Sequence, residues 1–556
     1  MRAPAWDLLA VFLLFSAQFT NFLLARGYGF LHIEILVAFG LLILFAAFVV
    51  LVIALRAETF RPIVFVILVW VVLDNEFELH LPRALTFHLG SEIATVLDFL
   101  VFFLPTAVVA WVLRAHVSKI VAAVFCVVVL SSIVLPHPRF EAVTVVEQEQ
   151  AATTDRGPII HIILDQQIGI GGLVDAIPGA AEMRGELLAL YENAGFRVYG
   201  SAFTHFPATL ESLPNLMNNS VEPNAYRWVR IGKGGNKLME NRWFRHLKAQ
   251  GYAIDVLQTH YIDFCADPAA PVSRCETYKG DVRFIHDLDA GAIKKAQYLL
   301  LYSFAVEYKP MSRVFQLGWH AIGKTIALIG FELPVWNVQA LSPSTLNSLS
   351  AMDRVADRLE TIGPGQAYIA HLLLPHDPFM LEENCEIKTR FRDWADRKSP
   401  LWWLLIPADP ARQRFRYQQY FKQVRCLNRR LAGLFEILDR RGLANQATVI
   451  IHGDHGSLIT SLEPVRRNGA ALSSLDIISG YSALFAVKAP GLAPGLDREL
   501  SSIQGLFARH VMGLSDFVDH NDIFLKPDRG VIGPGQKRRP MVELGVAEDD
   551  VRPDPG

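Results

Sequence analysis

The apolar positions of this chain follow two regimes. Up to residue 136 they gather in long, nearly unbroken runs; beyond 157 they come as short β-branched runs separated by amphipathic stretches. Five of the long runs, at roughly 6–25, 34–55, 60–74, 93–113 and 118–136, predict membrane spans, because crossing the hydrocarbon core takes about 20 apolar residues. The third, "RPIVFVILVWVVLD", is short, and a re-entrant or interfacial segment is its alternative reading. The basic residues are placed unequally between the spans. With a cytoplasmic N-terminus, the inner segments carry Arg2, Arg56, Arg61, Arg114 and Lys119. The outer ones carry Arg26 and Arg83, with Asp74, Glu76 and Glu78 close by. This is the positive-inside bias, and an odd number of spans then places everything after residue 137 outside the cytoplasm. A cleaved signal peptide is the alternative for the first run, which shows no clear small-x-small cleavage site.

Residues 137–157 are polar and read as a linker. Beyond them "PIIHIILD" (158–165), "FRVYGSAF", "YAIDVLQT", "AYIAHLLL", "ATVIIHGD" and "SALFAVKAP" read as strands. "AAEMRGELLALYENAG" and "RFRYQQYFKQVRCLNRRLAGLFEILDRRG" read as helices. Strands alternating with helices predict an α/β domain over 158–525 with a mostly parallel sheet, and ligands in such sheets gather beyond the carboxyl ends of the strands. Residues 290–335 are apolar and aromatic, either an insertion leaning on the membrane or a pair of core helices. The tail, 526–556, is charged, rich in Pro and Gly, and reads as loose.

Composition agrees with this division. The chain is 51% hydrophobic over 556 residues with a mean hydropathy of +0.26, apolar for a protein without a membrane part. A net charge of −2 gives no electrostatic footprint for nucleic acid. Of five cysteines, Cys126 lies in the fifth run, whereas Cys265, Cys275, Cys385 and Cys426 fall in the outer part. An even number there fits an oxidising compartment. Cys265–Cys275 is the favoured pair because a short loop joins them; four reduced, buried thiols are the alternative.

The strand ends carry the candidate chemistry. Asp165 closes the first strand, Asp454 and His455 close a late one, and His371 and His376 lie at and just after another, in "AHLLLPHDPF". Two carboxylates and an imidazole brought to one sheet edge suit a divalent ion, Zn²⁺ or Mn²⁺. Singly, an Asp after a strand is more often a turn or cap residue. Thr209 precedes "LESLPNLMNN" and falls at or near the N-terminus of a helix, where dipole and free N–H groups favour developing negative charge. An ordinary N-cap role is its plain reading, and Ser212 is the rival nucleophile. "GWHAIGKT" (318–325) matches a phosphate-binding loop pattern, but the preceding "SRVFQL" is a poor buried strand. "DQQIGIGG" misses the dinucleotide-loop spacing, with glycines at 169, 171 and 172.

Asp165 after a buried strand, Thr209 some forty residues on and the late Asp454-His455-Gly456 resemble the alkaline phosphatase superfamily in its sulfatase-like branch. The layout of spans followed by an outer domain resembles the membrane phosphoethanolamine transferases and lipoteichoic acid synthases. The former carry a T-x-x-S-V-P stretch around a nucleophilic Thr; this chain reads T-L-E-S-L-P from Thr209 to Pro214. The resemblance implies Thr209 as nucleophile and Asp165, Thr209, Asp454 and His455 around one metal ion. It implies His376 and His371 as groups that bind the substrate phosphate or a second ion, or protonate the leaving group. The chain departs from the family in four ways, one being that past His455 the next His is His510, so a second ion built as in some relatives is not expected. "SLPNL" lacks the Arg of the sulfatase C/S-x-P-x-R motif. Asp165 stands where the transferases usually have Glu, and Gln166 and Gln167 stand where many relatives offer a carboxylate.

Together these readings predict a multi-pass protein of the inner (plasma) membrane with five spans over 1–136. Its sulfatase-like α/β domain lies on the periplasmic or extracellular side. The implied activity is transfer of a phospho headgroup from a membrane lipid to a glycan or lipid acceptor through a phospho-Thr. Hydrolysis of a phosphate or sulfate ester and a catalytically silent membrane scaffold are the alternatives. Asp98, in the fourth run, either faces lipid headgroups or is a plain interfacial residue.

Overall fold

The computed structural model describes residues 4–55, 117–134 and most of 152–307, 344–388 and 410–526, together with 143–148, 538–540 and scattered positions in 101–116. The chain packs as two compact units. One comprises Met1–Glu141, Asp281–Ser342 and Lys398–Leu401; the other comprises Ala142–Gly280, Pro343–Arg397 and Trp402–Gly556.

In the first unit, α1 (Pro4–Ala25), α2 (Ile33–Leu55) and α3 (Val117–Val134) are long and apolar enough to cross a membrane. Ala10, Leu14 and Ala17 of α1 bury against Val121, Ala122 and Phe125 of α3. Small residues at such a seam let the backbones come close, which is how helices associate where lipid removes the hydrophobic drive. Leu44, Phe48, Leu51, Val127, Leu130 and Ile133 are exposed, an apolar outer surface that suits acyl chains. Three of the five expected spans are therefore seen. The run at 60–74 lies outside the described residues, as do most of 93–113 and Asp98. The helix Ala292–Glu307 packs against α1 and α2, so this part of the 290–335 region belongs with the apolar helices. The "GWHAIGKT" stretch lies outside the described residues.

The second unit is built on a nine-stranded sheet. Its strands are β1 (Val143–Glu147), β2 (Ile159–Leu164), β3 (Arg197–Tyr199), β4 (Ala253–Thr259), β5 (Arg274–Tyr278), β6 (Gln366–Leu372), β7 (Thr448–Gly453), β8 (Phe485–Lys488) and β9 (Gly495–Asp497). The spatial order is β1-β5-β4-β6-β2-β7-β8-β3-β9. The sheet is mostly parallel, as expected, with five of its eight pairings parallel, but it is mixed. The run from β5 to β7 is parallel, but β1 pairs antiparallel with β5, and β8 runs antiparallel to both β7 and β3. Strand direction depends on how distant segments meet, and an apolar run does not encode it.

Two further expectations change. The polar linker at 137–157 contains β1, whose outward side chains are exposed because it is an edge strand. In the 526–556 tail, Arg538–Pro540 pairs with Asp522–Phe524.

On one face of the sheet, Ile159, Ile163, Ile369 and Ile450 pack against α5 (Thr209–Met217), α6 (Arg242–Ala249) and α9 (Ile503–His510) through Leu213, Phe244 and Phe507. Helices α4 (Ala180–Asn193), α7 (Ser344–Leu359) and α8 (Pro410–Arg440) pack side by side. Disulfides join Cys265 to Cys275, as expected, and Cys385 to Cys426.

Candidate active site at the strand ends

Parallel register assembles the site. Leu164 of β2 pairs with Gly453 of β7 and Leu372 of β6, so the residues that follow emerge side by side at one edge. Asp165 and Asp454 are those residues. Their side chains and that of His455 are buried, and one ligand atom from each lies within 4.8 Å of the others. His455 Nε2 stands 3.8 Å from Asp165 Oδ1 and 3.4 Å from Asp454 Oδ2. The Thr209 hydroxyl is 3.4 Å from the same nitrogen.

The hydrogen bonds fix the state of these groups. His455 Nδ1 lies 2.9 Å from the Gly456 carbonyl. A carbonyl only accepts, so Nδ1 carries the proton and Nε2 presents a lone pair. Asp454 Oδ1 accepts from the backbone N–H groups of Gln166 (3.0 Å) and His455 (2.8 Å). Its Oδ2 is buried and has no hydrogen-bond partner among the described residues. A lone pair and two carboxylates buried face to face repel one another unless a cation lies between them. The donor set therefore fits a divalent ion held by Asp165, Asp454 and His455, with the Thr209 oxygen beside it. Burial pushes the Asp454 carboxyl up, but His455, His371, the Gln166 N–H and the Thr209 hydroxyl outweigh it, and the group stays below the usual carboxylate range.

Thr209 is not a cap. It is the first residue of α5, whose capping position is Ala208, so its hydroxyl is directed into the site. Ser212, one turn on, donates to the Asp454 carbonyl oxygen at 2.6 Å and contacts Thr204 Oγ1 at 3.0 Å. The rival nucleophile thus anchors α5 to the end of β7, and Thr209 is the hydroxyl left facing the cluster.

His371, at the end of β6, is buried, with Nε2 3.8 Å from Asp165 Oδ2. Burial depresses it to about 4, so it is neutral near pH 7. His376 is half-buried beyond the Leu374-Pro375 peptide. Its Nδ1 bonds the Asp377 carbonyl. The His376 charge lowers the pKa of both His371 and His455, behind the larger effect of burial. Gln423 of α8 holds this turn by donating to the carbonyls of Pro375 (3.0 Å) and His376 (2.9 Å).

Several supporting residues escaped sequence reasoning. Gln166 has φ of 65°, a left-handed conformation that costs a non-glycine about 1 kcal/mol or more. Its carbonyl is held by the Tyr420 hydroxyl at 2.8 Å, and the bend aims its N–H at Asp454. The role of Gln166 is thus played by its backbone, which carries no residue signature. His161 and His452 meet through their Nε2 atoms at 2.8 Å beneath the site, on the same face as His371. The charge of Lys526 reaches His455. Lys526 belongs to the segment read as loose; its backbone N–H donates to the Pro464 carbonyl at 2.9 Å. Gly456 closes the Asp-His-Gly triplet because the Ser479 carbonyl oxygen lies 2.3 Å from where a Cβ would stand.

No family model matches this chain, and no curated protein matches it. Solved structures do show likeness. The lipoteichoic acid synthase LtaP from Listeria monocytogenes shares 12% identity over 67% of this chain and 78% of its own, with a TM-score of 0.34. The C-terminal periplasmic domain of EcEptC from Escherichia coli shares 13% over 71% and 96%, with a TM-score of 0.38. The phosphonate monoester hydrolase of Agrobacterium radiobacter shares 12% over 66% and 74%, with a TM-score of 0.34. These neighbours are members of the alkaline phosphatase superfamily. Likeness at this level does not assign a reaction or substrate, which must come from the site's own groups.

Proposed function

We propose that this protein is a membrane-anchored, metal-dependent phosphotransferase whose catalytic part lies outside the cytoplasm. The observation that carries the reading is a buried hydroxyl at the first residue of a helix, facing two carboxylates and an imidazole lone pair. Apolar helices α1 to α3 keep the chain at a lipid surface, which favours a phospholipid headgroup as the transferred group. The positive-inside bias and the two disulfides support an oxidising, periplasmic or extracellular side.

Asp165, Asp454, His455 and Thr209 hold the ion, Zn²⁺ or Mn²⁺. When bound, it lowers the pKa of the Thr209 hydroxyl and balances charge on the phosphoryl oxygens. Thr209 loses its proton to water and its Oγ1 attacks the donor phosphorus. The new P–O bond forms as the bond to the diacylglycerol oxygen breaks. His376 Nε2 gives that oxygen its proton. In the second half-reaction the same nitrogen takes a proton from the acceptor hydroxyl. That oxygen, on a glycan or a lipid, attacks phosphorus, and Thr209 departs. His371, kept neutral by burial, lines the site with Nε2 3.8 Å from the Asp165 carboxylate.

The test uses full-length protein with vesicles of phosphatidylethanolamine or phosphatidylglycerol, reading diacylglycerol release and intact protein mass. Wild type should release diacylglycerol and gain a headgroup mass on Thr209. Thr209→Ala should lose both, with release falling on the order of 10³-fold or more. Release that continues with no acceptor present would mark water as the acceptor and a hydrolase. Full activity in Thr209→Ala would refute the nucleophile, and a wild type that releases no diacylglycerol would leave the scaffold reading.

A further inference from the structure

The first unit carries its own group of ligating side chains. Helix α1 ends in a left-handed turn at Gly27 (φ +64°), with Gly27 N–H donating to the Leu24 carbonyl (3.1 Å) and Tyr28 N–H to the Leu23 carbonyl (2.9 Å). This paired capping pattern reverses the chain and buries Tyr28 beside the start of α2. There the Tyr28 hydroxyl donates to Glu34 Oε1 at 2.9 Å. Glu34 is the one acidic residue of α2 and is 3% exposed. His286 arrives from 252 residues away, with Nδ1 3.0 Å from the same oxygen. The His32 ring lies 4.1 Å from the His286 ring, centroid to centroid. One ligand atom from each of His32, Glu34 and His286 lies within 4.8 Å of the other two.

A buried carboxylate at the mouth of an apolar helix needs a cationic partner. One protonated imidazole would suffice, but then a second imidazole so close is either repelled or idle. Two imidazoles converging on one carboxylate instead suit a shared divalent cation. We propose that His32, Glu34 and His286 bind a second divalent ion, of the Zn²⁺ class, with Tyr28 holding the Glu34 carboxylate in position. Imidazole with carboxylate selects zinc-like ions over Mg²⁺ or Ca²⁺. Tyr28 supplies the outer hydrogen bond that ligating carboxylates use. The His286 side chain is half exposed, which leaves an entry path and a coordination position for water. Lys295 does not compete, because its Nζ donates to the His286 backbone carbonyl at 2.6 Å. The ion fastens the segment around His286 to the α1–α2 turn and so fixes both to one end of the helix pair.

The experiment is done in an Asp454→Asn background, which removes a ligand of the strand-end centre and makes the outcome independent of that centre's role. Full-length protein in detergent is stripped with chelator, dialysed against Zn²⁺, and its metal content measured by mass spectrometry. Asp454→Asn should retain one ion per chain. Asp454→Asn/His286→Ala and Asp454→Asn/His32→Ala should retain none, with affinity down on the order of 100-fold or more. Tyr28→Phe should weaken binding about 10–100-fold without abolishing it. Should one variant aggregate, the other gives the same reading. In the Asp454→Asn protein, Zn²⁺ should also slow amide exchange over residues 27–35 and 282–287. Equal zinc content with and without the histidines, or exchange unaltered by zinc, overturns the proposal.

Discussion

At the scale of single residues, the strand-end site is set by protonation and lone pairs. The Gly456 carbonyl fixes the His455 proton on Nδ1, so Nε2 confronts Asp165 and Asp454 as a base. Removing a bound cation should therefore destabilise the protein. With ion at 100 to 1,000 times its Kd, chelation is expected to cost about 3 to 4 kcal/mol and to lower the thermal midpoint. Asp454→Asn should make the midpoint insensitive to chelator at that centre. Ser212→Ala is a milder change. It removes the donor to the Asp454 carbonyl and should cost about 1–2 kcal/mol in denaturant unfolding, with a larger loss of transfer rate because α5 carries Thr209. The sequence pointed to Thr209, Asp165, Asp454, His455, His371 and His376, since strand-end acids and a helix-start hydroxyl leave a local signature. It did not point to Gln166 or Tyr420, which act through a bent backbone and a contact between residues 254 apart.

At the scale of elements, the turn after β7 and the start of α6 offer separate tests. Gly456→Ala drives a methyl into the Ser479 carbonyl, whose oxygen lies 2.3 Å from the Cβ position, so the turn carrying His455 must shift. Transfer activity should fall by at least about tenfold, and the thermal midpoint should drop as expected for an overpacked core, about 1–3 kcal/mol. Near α6, buried Asp267 accepts from Arg245 and from the N–H groups of Asn241 and Ala269. Burial raises its pKa, but those donors together outweigh burial and leave it below 3.8. A depressed carboxyl pKa contributes stability above the unfolded value and loses it as pH falls through the folded one. Asp267→Asn should thus cost about 1–2 kcal/mol at pH 7, and the gap from wild type should close below about pH 3.8 in urea titrations.

At the scale of the whole molecule, long-range connections matter most. The Cys385–Cys426 bridge spans 41 residues and ties the chain just past the His376 turn to α8, whose Gln423 holds that turn. By loop entropy such a bridge stabilises by about 4 kcal/mol at most. Cys385→Ser/Cys426→Ser should lower the thermal midpoint and raise the KM for donor lipid, because the turn bearing His376 loses support. The mixed sheet is a property of this scale as well. β8 turns antiparallel between β7 and β3 through pairings between segments far apart in the chain.

The sequence by itself determined the apolar spans seen as α1 to α3, most of the strands, and which residues end β2, β6 and β7. Each of these is written in local periodicity, within reach of a few neighbouring side chains. Only tertiary structure decided that β8 runs antiparallel, that residues 143–147 form an edge strand, that Ser212 braces while Thr209 faces the acids, and that His286 meets Glu34. Those outcomes depend on register and packing between segments tens to hundreds of residues apart, and the free energy that selects them arises only when the segments are buried together.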